Sequence, residues 1–170
     1  LHPKHAFLKF DSTMIHRLQF FESETLEILF LQNHYKNLKI IIIGDYDADG
    51  TTASAVMIDF CQKMGAQVKS MIPHRFKEGY GLHKGRIEEM VRHDIDCLIT
   101  LDCGISNYKE IELLKSLSPK TDCLIVDHHK CPDQLPNATA IINPKMGPES
   151  HPAYDCCTVG LVYYLLVSSG

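Results

Sequence analysis

The chain has no Cys-x-x-Cys pair, and its seven cysteines (Cys61, Cys97, Cys103, Cys123, Cys131, Cys156 and Cys157) are odd in number. Neither a zinc ribbon nor a disulfide framework is indicated, and such usage fits a reducing, cytoplasmic setting. No apolar run approaches the roughly 20 residues that a membrane-spanning helix needs. The N-terminus lacks the charged-then-apolar pattern of a secretory signal. Tryptophan is missing altogether, as are internal repeats and low-complexity stretches. An excess of positive charge is also lacking: 17 Lys and Arg face 21 Asp and Glu, for a net charge of −4 with histidine neutral. A broad surface for tracking duplex phosphates is therefore disfavoured. A small site handling one phosphate at a time is not.

What is present describes an ordinary globular domain. Of the 170 residues, 45% are hydrophobic, too many for a disordered chain. The length predicts a single domain able to bury a core without metal or disulfide staples. Basic residues gather only locally, at His74, Arg75, Lys77, His83, Lys84 and Arg86.

Hydrophobic spacing gives the order of elements. Met14, Ile15, Leu18, Phe21, Leu26, Leu29 and Phe30 recur at near-helical intervals, so residues 1–37 are read as a helical segment packing on a domain that occupies 38–170. Lys39–Ile43 is a β-branched run closed by Gly44, which suits a strand buried on both faces of a parallel sheet. Helices are predicted over Thr51–Met64, Lys84–His93, Tyr108–Leu117 and Cys157–Val167, and further strands over Gln67–Ile72, Cys97–Leu101 and Cys123–Val126. Cys97 and Cys123, which open two of these strands, are expected to pack as small hydrophobes. The alternation predicts an α/β fold, a doubly wound and mainly parallel sheet flanked by helices. Ligands in such sheets bind at the carboxyl ends of the strands.

Those strand ends are acidic. Asp45-Tyr46-Asp47-Ala48-Asp49-Gly50 follows the first strand, Asp102-Cys103-Gly104 the third and Asp127-His128-His129 the fourth. Five carboxylates and two imidazoles thus reach one crevice. Two carboxylates 4 Å apart repel by about 4 kcal/mol at an effective dielectric near 20, so such crowding is costly unless protons or cations lie between them. Oxygen and imidazole donors without an enlisted thiolate favour Mn²⁺ or Mg²⁺. Two such ions about 4 Å apart can activate a water and stabilise a leaving oxygen in phosphoester hydrolysis. Rival readings fit less well. An EF-hand loop starting at Asp45 needs a bidentate Glu where Val56 stands, and a dinucleotide turn would set a pyrophosphate against carboxylates. A haloacid-dehalogenase nucleophile at Asp47 leaves the Asp-His-His run unexplained. For any one strand end, loop and cap residues without chemistry remain a sufficient account.

These segments resemble the first three motifs of the DHH phosphoesterases, carried by Asp45-Tyr46-Asp47-Ala48-Asp49-Gly50, Leu101-Asp102-Cys103-Gly104-Ile105-Ser106 and Asp127-His128-His129. Pro73–Leu82, Ile142-Asn143-Pro144 and Cys157–Leu165 are similar to segments of the RecJ branch, single-strand-specific DNA exonucleases. The resemblance implies two divalent cations, Mn²⁺ or Mg²⁺. Asp47 and Asp49 would each hold one, Asp102 would bridge them and His128 would ligate the second. His129 would face the scissile phosphate, Asp45 would brace its loop, and Asp127 would orient an imidazole. Arg75 would bind a substrate phosphate and Tyr80 would stack or pack. The implied activity is degradation of single-stranded DNA from the 5′ end in repair and recombination, with repair or single-strand-binding proteins as partners and no membrane. The alternatives are a DHH phosphodiesterase of oligoribonucleotides or cyclic dinucleotides, and a non-catalytic scaffold of the same fold. Two departures accompany the match. Ile43 stands where many relatives carry His, and the chain ends before a further metal-binding Asp and a second domain with a Gly-Gly-His motif. It is therefore expected to be the N-terminal part of a longer exonuclease, weakly active or inactive alone.

Overall fold

The computed structural model describes residues 37–73 and 81–168. The segment read as helical, residues 1–37, lies outside them except for Asn37, which is in a turn. Five strands form one sheet: β1 (Lys39–Gly44), β2 (Gln67–Met71), β3 (Cys97–Leu101), β4 (Asp122–Val126) and β5 (Ala140–Ile142). All pair in parallel, in the order β2-β1-β3-β4-β5. Between them run α1 (Ala48–Lys63), α2 (Lys84–Arg92) and α3 (Tyr108–Leu117), with α4 (Thr158–Ser168) last. No helix among the described residues is long and apolar enough to cross a membrane.

The sheet is covered on both faces because its inner strands β1, β3 and β4 are almost wholly apolar, whereas the edge strand β2 exposes Gln67, Lys69 and Ser70. Ile40 and Ile42 point one way, against Ala53, Met57 and Cys61 of α1 and Leu161, Val162 and Leu165 of α4. Ile41 and Ile43 point the other way, against Ile87 and Met90 of α2 and Ile111 and Leu114 of α3. None of the four isoleucines is more than 2% exposed. Each such side chain contributes roughly 1.5–3 kcal/mol of burial, which makes this strand the centre of the core. Cys97 and Cys123 are buried among the apolar residues, as their positions in the strands predicted.

The elements differ from the sequence reading mainly at their ends. The first helix begins at Ala48 rather than Thr51, because Asp47 caps it: its carboxylate accepts the Gly50 N–H at 2.9 Å. It closes before Gly65, whose φ of +92° suits a residue without Cβ. β5 and a single 3₁₀ turn at Pro144–Met146 were not anticipated, being only three residues each. Strand order reverses direction between β1 and β3, and the loops after these two strands open a crevice at the carboxyl edge of the sheet.

Candidate metal centre

The register lines four polar residues along that edge. Gly44, Leu101, Val126 and Ile142 are neighbours across the sheet, and the next residue of each strand is Asp45, Asp102, Asp127 and Asn143. The ladder continues one step into this row, with the amides of Asp45, Asp102 and Asp127 donating to the carbonyls of Leu101, Val126 and Ile142. Each member of the row is nearly buried; Asp102 is 1% exposed and Asp127 fully buried.

The loops hold this row tightly. Asp102 adopts φ +62°, a left-handed conformation that Asp tolerates better than most side chains and that recurs at functional sites. Gly50 brings α1 against the start of the first loop, where a Cβ would lie 2.6–2.8 Å from the backbone of Asp45. Asn143 donates to the His129 carbonyl at 2.9 Å, anchoring the Asp-His-His loop to the end of β5.

Two groups of potential ligands result, each with donor atoms within 4.8 Å of one another: Asp45, Asp47 and Asp102, and Asp102, His128 and His129. Asp102 belongs to both. Its Oδ1 lies 3.2 Å from His128 Nε2 and 4.0 Å from His129 Nδ1. Burial, with Asp49 and Asp47 adding repulsion against a hydrogen bond from Thr158, pushes the Asp102 carboxyl up to about 7. Burial also holds Asp45 above its usual range against the Tyr46 amide, and Asp47 pushes it further. The cluster thus holds carboxylates together in a setting that favours a proton or cation among them.

The imidazoles play different parts. Asp127 Oδ1 sits 2.7 Å from His129 Nδ1 and also accepts the His129 amide, while its Oδ2 accepts the Ile105 amide at 3.1 Å. That hold fixes the His129 ring and leaves chemistry at this residue to Nε2. Burial works to lower the His129 pKa, but the Asp127 hydrogen bond and the charges of Asp127, Asp102 and Asp45 raise it overall. The two rings meet edge to face, with centroids 4.9 Å apart.

Asp49 stands at the rim. Its two oxygens accept the amides of Thr158 and Val159 at 2.7 and 2.8 Å, and Oδ2 is 3.8 Å from His128 Nε2. The negative carboxylate therefore seats on the positive N-terminal end of α4. Asp45 accepts the Tyr46 amide of its own loop at 2.8 Å and also falls in one of the two ligand groups, while Asp49 carries two amide hydrogen bonds at the edge of the other. Arg75 and Tyr80 lie outside the described residues.

Sequence reasoning missed Thr158. Its amide holds Asp49 while its hydroxyl donates to Asp102 Oδ1 at 3.0 Å, so one fully buried residue ties together carboxylates from two strand ends. The signal was a threonine at the head of a helix read as apolar, and nothing in the sequence says what its hydroxyl reaches.

Known proteins are similar to this chain in sequence and in fold. The chain is 39% identical over 127 residues to the single-stranded-DNA-specific exonuclease RecJ of Bacillus subtilis, covering 75% of this chain and 16% of that protein. It is 31% identical over 157 residues to RecJ of Haemophilus influenzae, covering 92% of this chain and 27% of the relative. The chain thus spans about a quarter or less of the curated relatives it matches. A crystal structure of exonuclease RecJ bound to manganese superposes with a TM-score of 0.68 at 30% identity, over 90% of this chain and 36% of that one. The sequence model of the DHH family, N-terminal domain, matches residues 39–169, and with its three acidic strand ends drawn into one crevice the chain belongs to the DHH family.

Proposed function

We propose that this chain supplies the metal centre of a phosphodiester hydrolase that degrades single-stranded DNA from the 5′ end, in repair and recombination. The observation that carries the reading is the double membership of Asp102, shared by an all-carboxylate group and a carboxylate–imidazole group. The donor set fits divalent cations: hard oxygens and imidazoles, with a carboxylate whose burial and acidic neighbours already favour added positive charge. Asp45, Asp47 and Asp102 would hold one ion, and Asp102 and His128 the other, with Asp49 oriented by the α4 amides at its rim and His129 beside it for the substrate. Mn²⁺ or Mg²⁺ bound there supplies Lewis-acid activation of the phosphoryl group and of water.

The protein's own groups then divide the remaining work. Asp102 would be the ligand common to both ions. His129, kept in one orientation by Asp127 and with a raised pKa, is suited to present an N–H to a non-bridging phosphate oxygen. Arg75 is assigned to a further substrate phosphate and Tyr80 to a base, on the resemblance alone. The names of the relatives favour DNA over oligoribonucleotides, and the reading carries a cytoplasmic setting with repair or single-strand-binding proteins as partners.

The test uses the full-length protein with Mn²⁺ on 5′-labelled single-stranded DNA and on a short oligoribonucleotide. Faster release of nucleotide from the DNA is expected, with Asp102→Ala at least a hundredfold slower. Undiminished activity in that variant, or a preference for the RNA, overturns the proposal.

A further inference from the structure

Two thiols stand beside this centre that its chemistry does not use. Cys156 and Cys157 are adjacent in sequence and immediately precede Thr158. Cys157 is exposed and Cys156 half-buried, whereas Cys61, Cys97, Cys103 and Cys123 are buried and Cys131 lies in another loop. Both sulfurs pack over Gly160: the point where a Cβ would stand on that glycine is 2.6 Å from Cys156 Sγ and 3.8 Å from Cys157 Sγ. The two sulfurs are therefore no farther apart than the sum of those distances. Two sulfurs bonded to one three-coordinate, pyramidal arsenic lie roughly 3–3.5 Å apart, with bonds of about the length of zinc–thiolate bonds. The missing side chain at Gly160 leaves room for the pair to close.

We propose that Cys156 and Cys157 form a dithiol site for a thiophilic centre of the trivalent-arsenic class, and that its occupation is felt at the metal centre. With phenylarsine oxide as ligand, two S–H bonds and the arsenic–oxide bond break and two As–S bonds form. The oxide leaves as water with the two thiol protons, and nothing is oxidised or reduced. The path to the centre is short. Cys157 accepts the Leu161 amide through its carbonyl, and the next residue, Thr158, holds both Asp49 and Asp102. Drawing the two sulfurs onto one atom turns the peptide that leads into Thr158. The coupling half of the proposal rests on the metal-centre reading; the dithiol half does not.

The experiment treats the full-length protein with phenylarsine oxide and follows it by intact mass and by Mn²⁺ titration. One adduct is expected at this pair, lost in Cys156→Ser and in Cys157→Ser separately and kept in Cys131→Ser. The adduct is expected to weaken Mn²⁺ binding at least tenfold, with affinity restored when a competing dithiol removes the arsenical. An adduct that survives either serine variant at 156 or 157, or none in the wild type, overturns the dithiol site. An adduct that leaves Mn²⁺ affinity unchanged overturns the coupling. If the unmodified protein binds no Mn²⁺, the metal-centre reading and the coupling fall together, while the mass result still decides the dithiol site.

Discussion

Asp102 shows how a single residue can set the pH behaviour of a fold. Its carboxyl is raised from an ordinary value of 3.8 to about 7 by burial and by its acidic neighbours, against the Thr158 hydroxyl. Between those two values the native state keeps the proton and the unfolded chain does not, so stability falls as pH rises from about 4 to about 7 and levels off above. The difference corresponds to roughly 4 kcal/mol. In chelator, Asp102→Asn should match the wild type at pH 4 and melt at a higher temperature at pH 8; equal melting temperatures at both would remove the buried charge from the account. Because a divalent ion must displace that proton, Mn²⁺ affinity should rise as pH climbs toward 7 and then flatten. The His129 pKa is raised as well, but from a different balance of causes. Burial tends to lower its pKa, but the Asp127 hydrogen bond and the charges of Asp127, Asp102 and Asp45 together outweigh this, so Asp127→Asn should bring the imidazole down, as read from its ring-proton shifts by NMR. An unmoved titration would mean that Asp127 does not control the ring.

At the scale of elements, the strands were legible because four consecutive isoleucines and two cysteine-led apolar runs leave no polar face, and a sheet covered on both sides is the fold that wants such strands. The acidic ends were legible too, since β1, β3 and β4 are each followed at once by Asp. Less legible was anything set by distant approach. The start of α1 at Ala48 depends on Asp47 turning to cap it, and the three residues of β5 are too few to carry a period. The tie from α4 to Asp49 and Asp102 joins residues more than fifty positions apart. That tie gives a prediction: Thr158→Val removes the hydroxyl at nearly constant volume and leaves a buried Asp102 oxygen without that donor, a loss of about 1–3 kcal/mol. Calorimetry should show Mn²⁺ affinity reduced about tenfold or more, with Thr158→Ser near wild type. Valine and serine variants that behave alike would deny the hydroxyl its role. Close approach also governs Gly50. A methyl group there meets the Asp45 backbone at 2.6–2.8 Å, and backbone cannot move aside as a flexible side chain can. Gly50→Ala should destabilise the protein by about 1–3 kcal/mol in thermal melts; an unchanged melting temperature would show that the loop yields.

For the whole molecule, the sheet acts as a ruler. Parallel register places the residue after each central strand in one row, so segments separated by dozens of residues deliver their acids to the same depth. The helices on the two faces supply rigidity, and α4 returns to close the crevice from the side of α1. Membership of the DHH family follows from a match over residues 39–169, and the fold from superposition on a manganese-bound RecJ. The catalytic assignment depends on something narrower, the sharing of Asp102 between two cation sites. The most direct test is Mn²⁺ titration by calorimetry on the wild type and on Asp102→Ala at pH 7.5. Two bound ions are predicted for the wild type, with both sites weakened together in the variant. Loss of one ion while the other binds at wild-type affinity would contradict the shared centre.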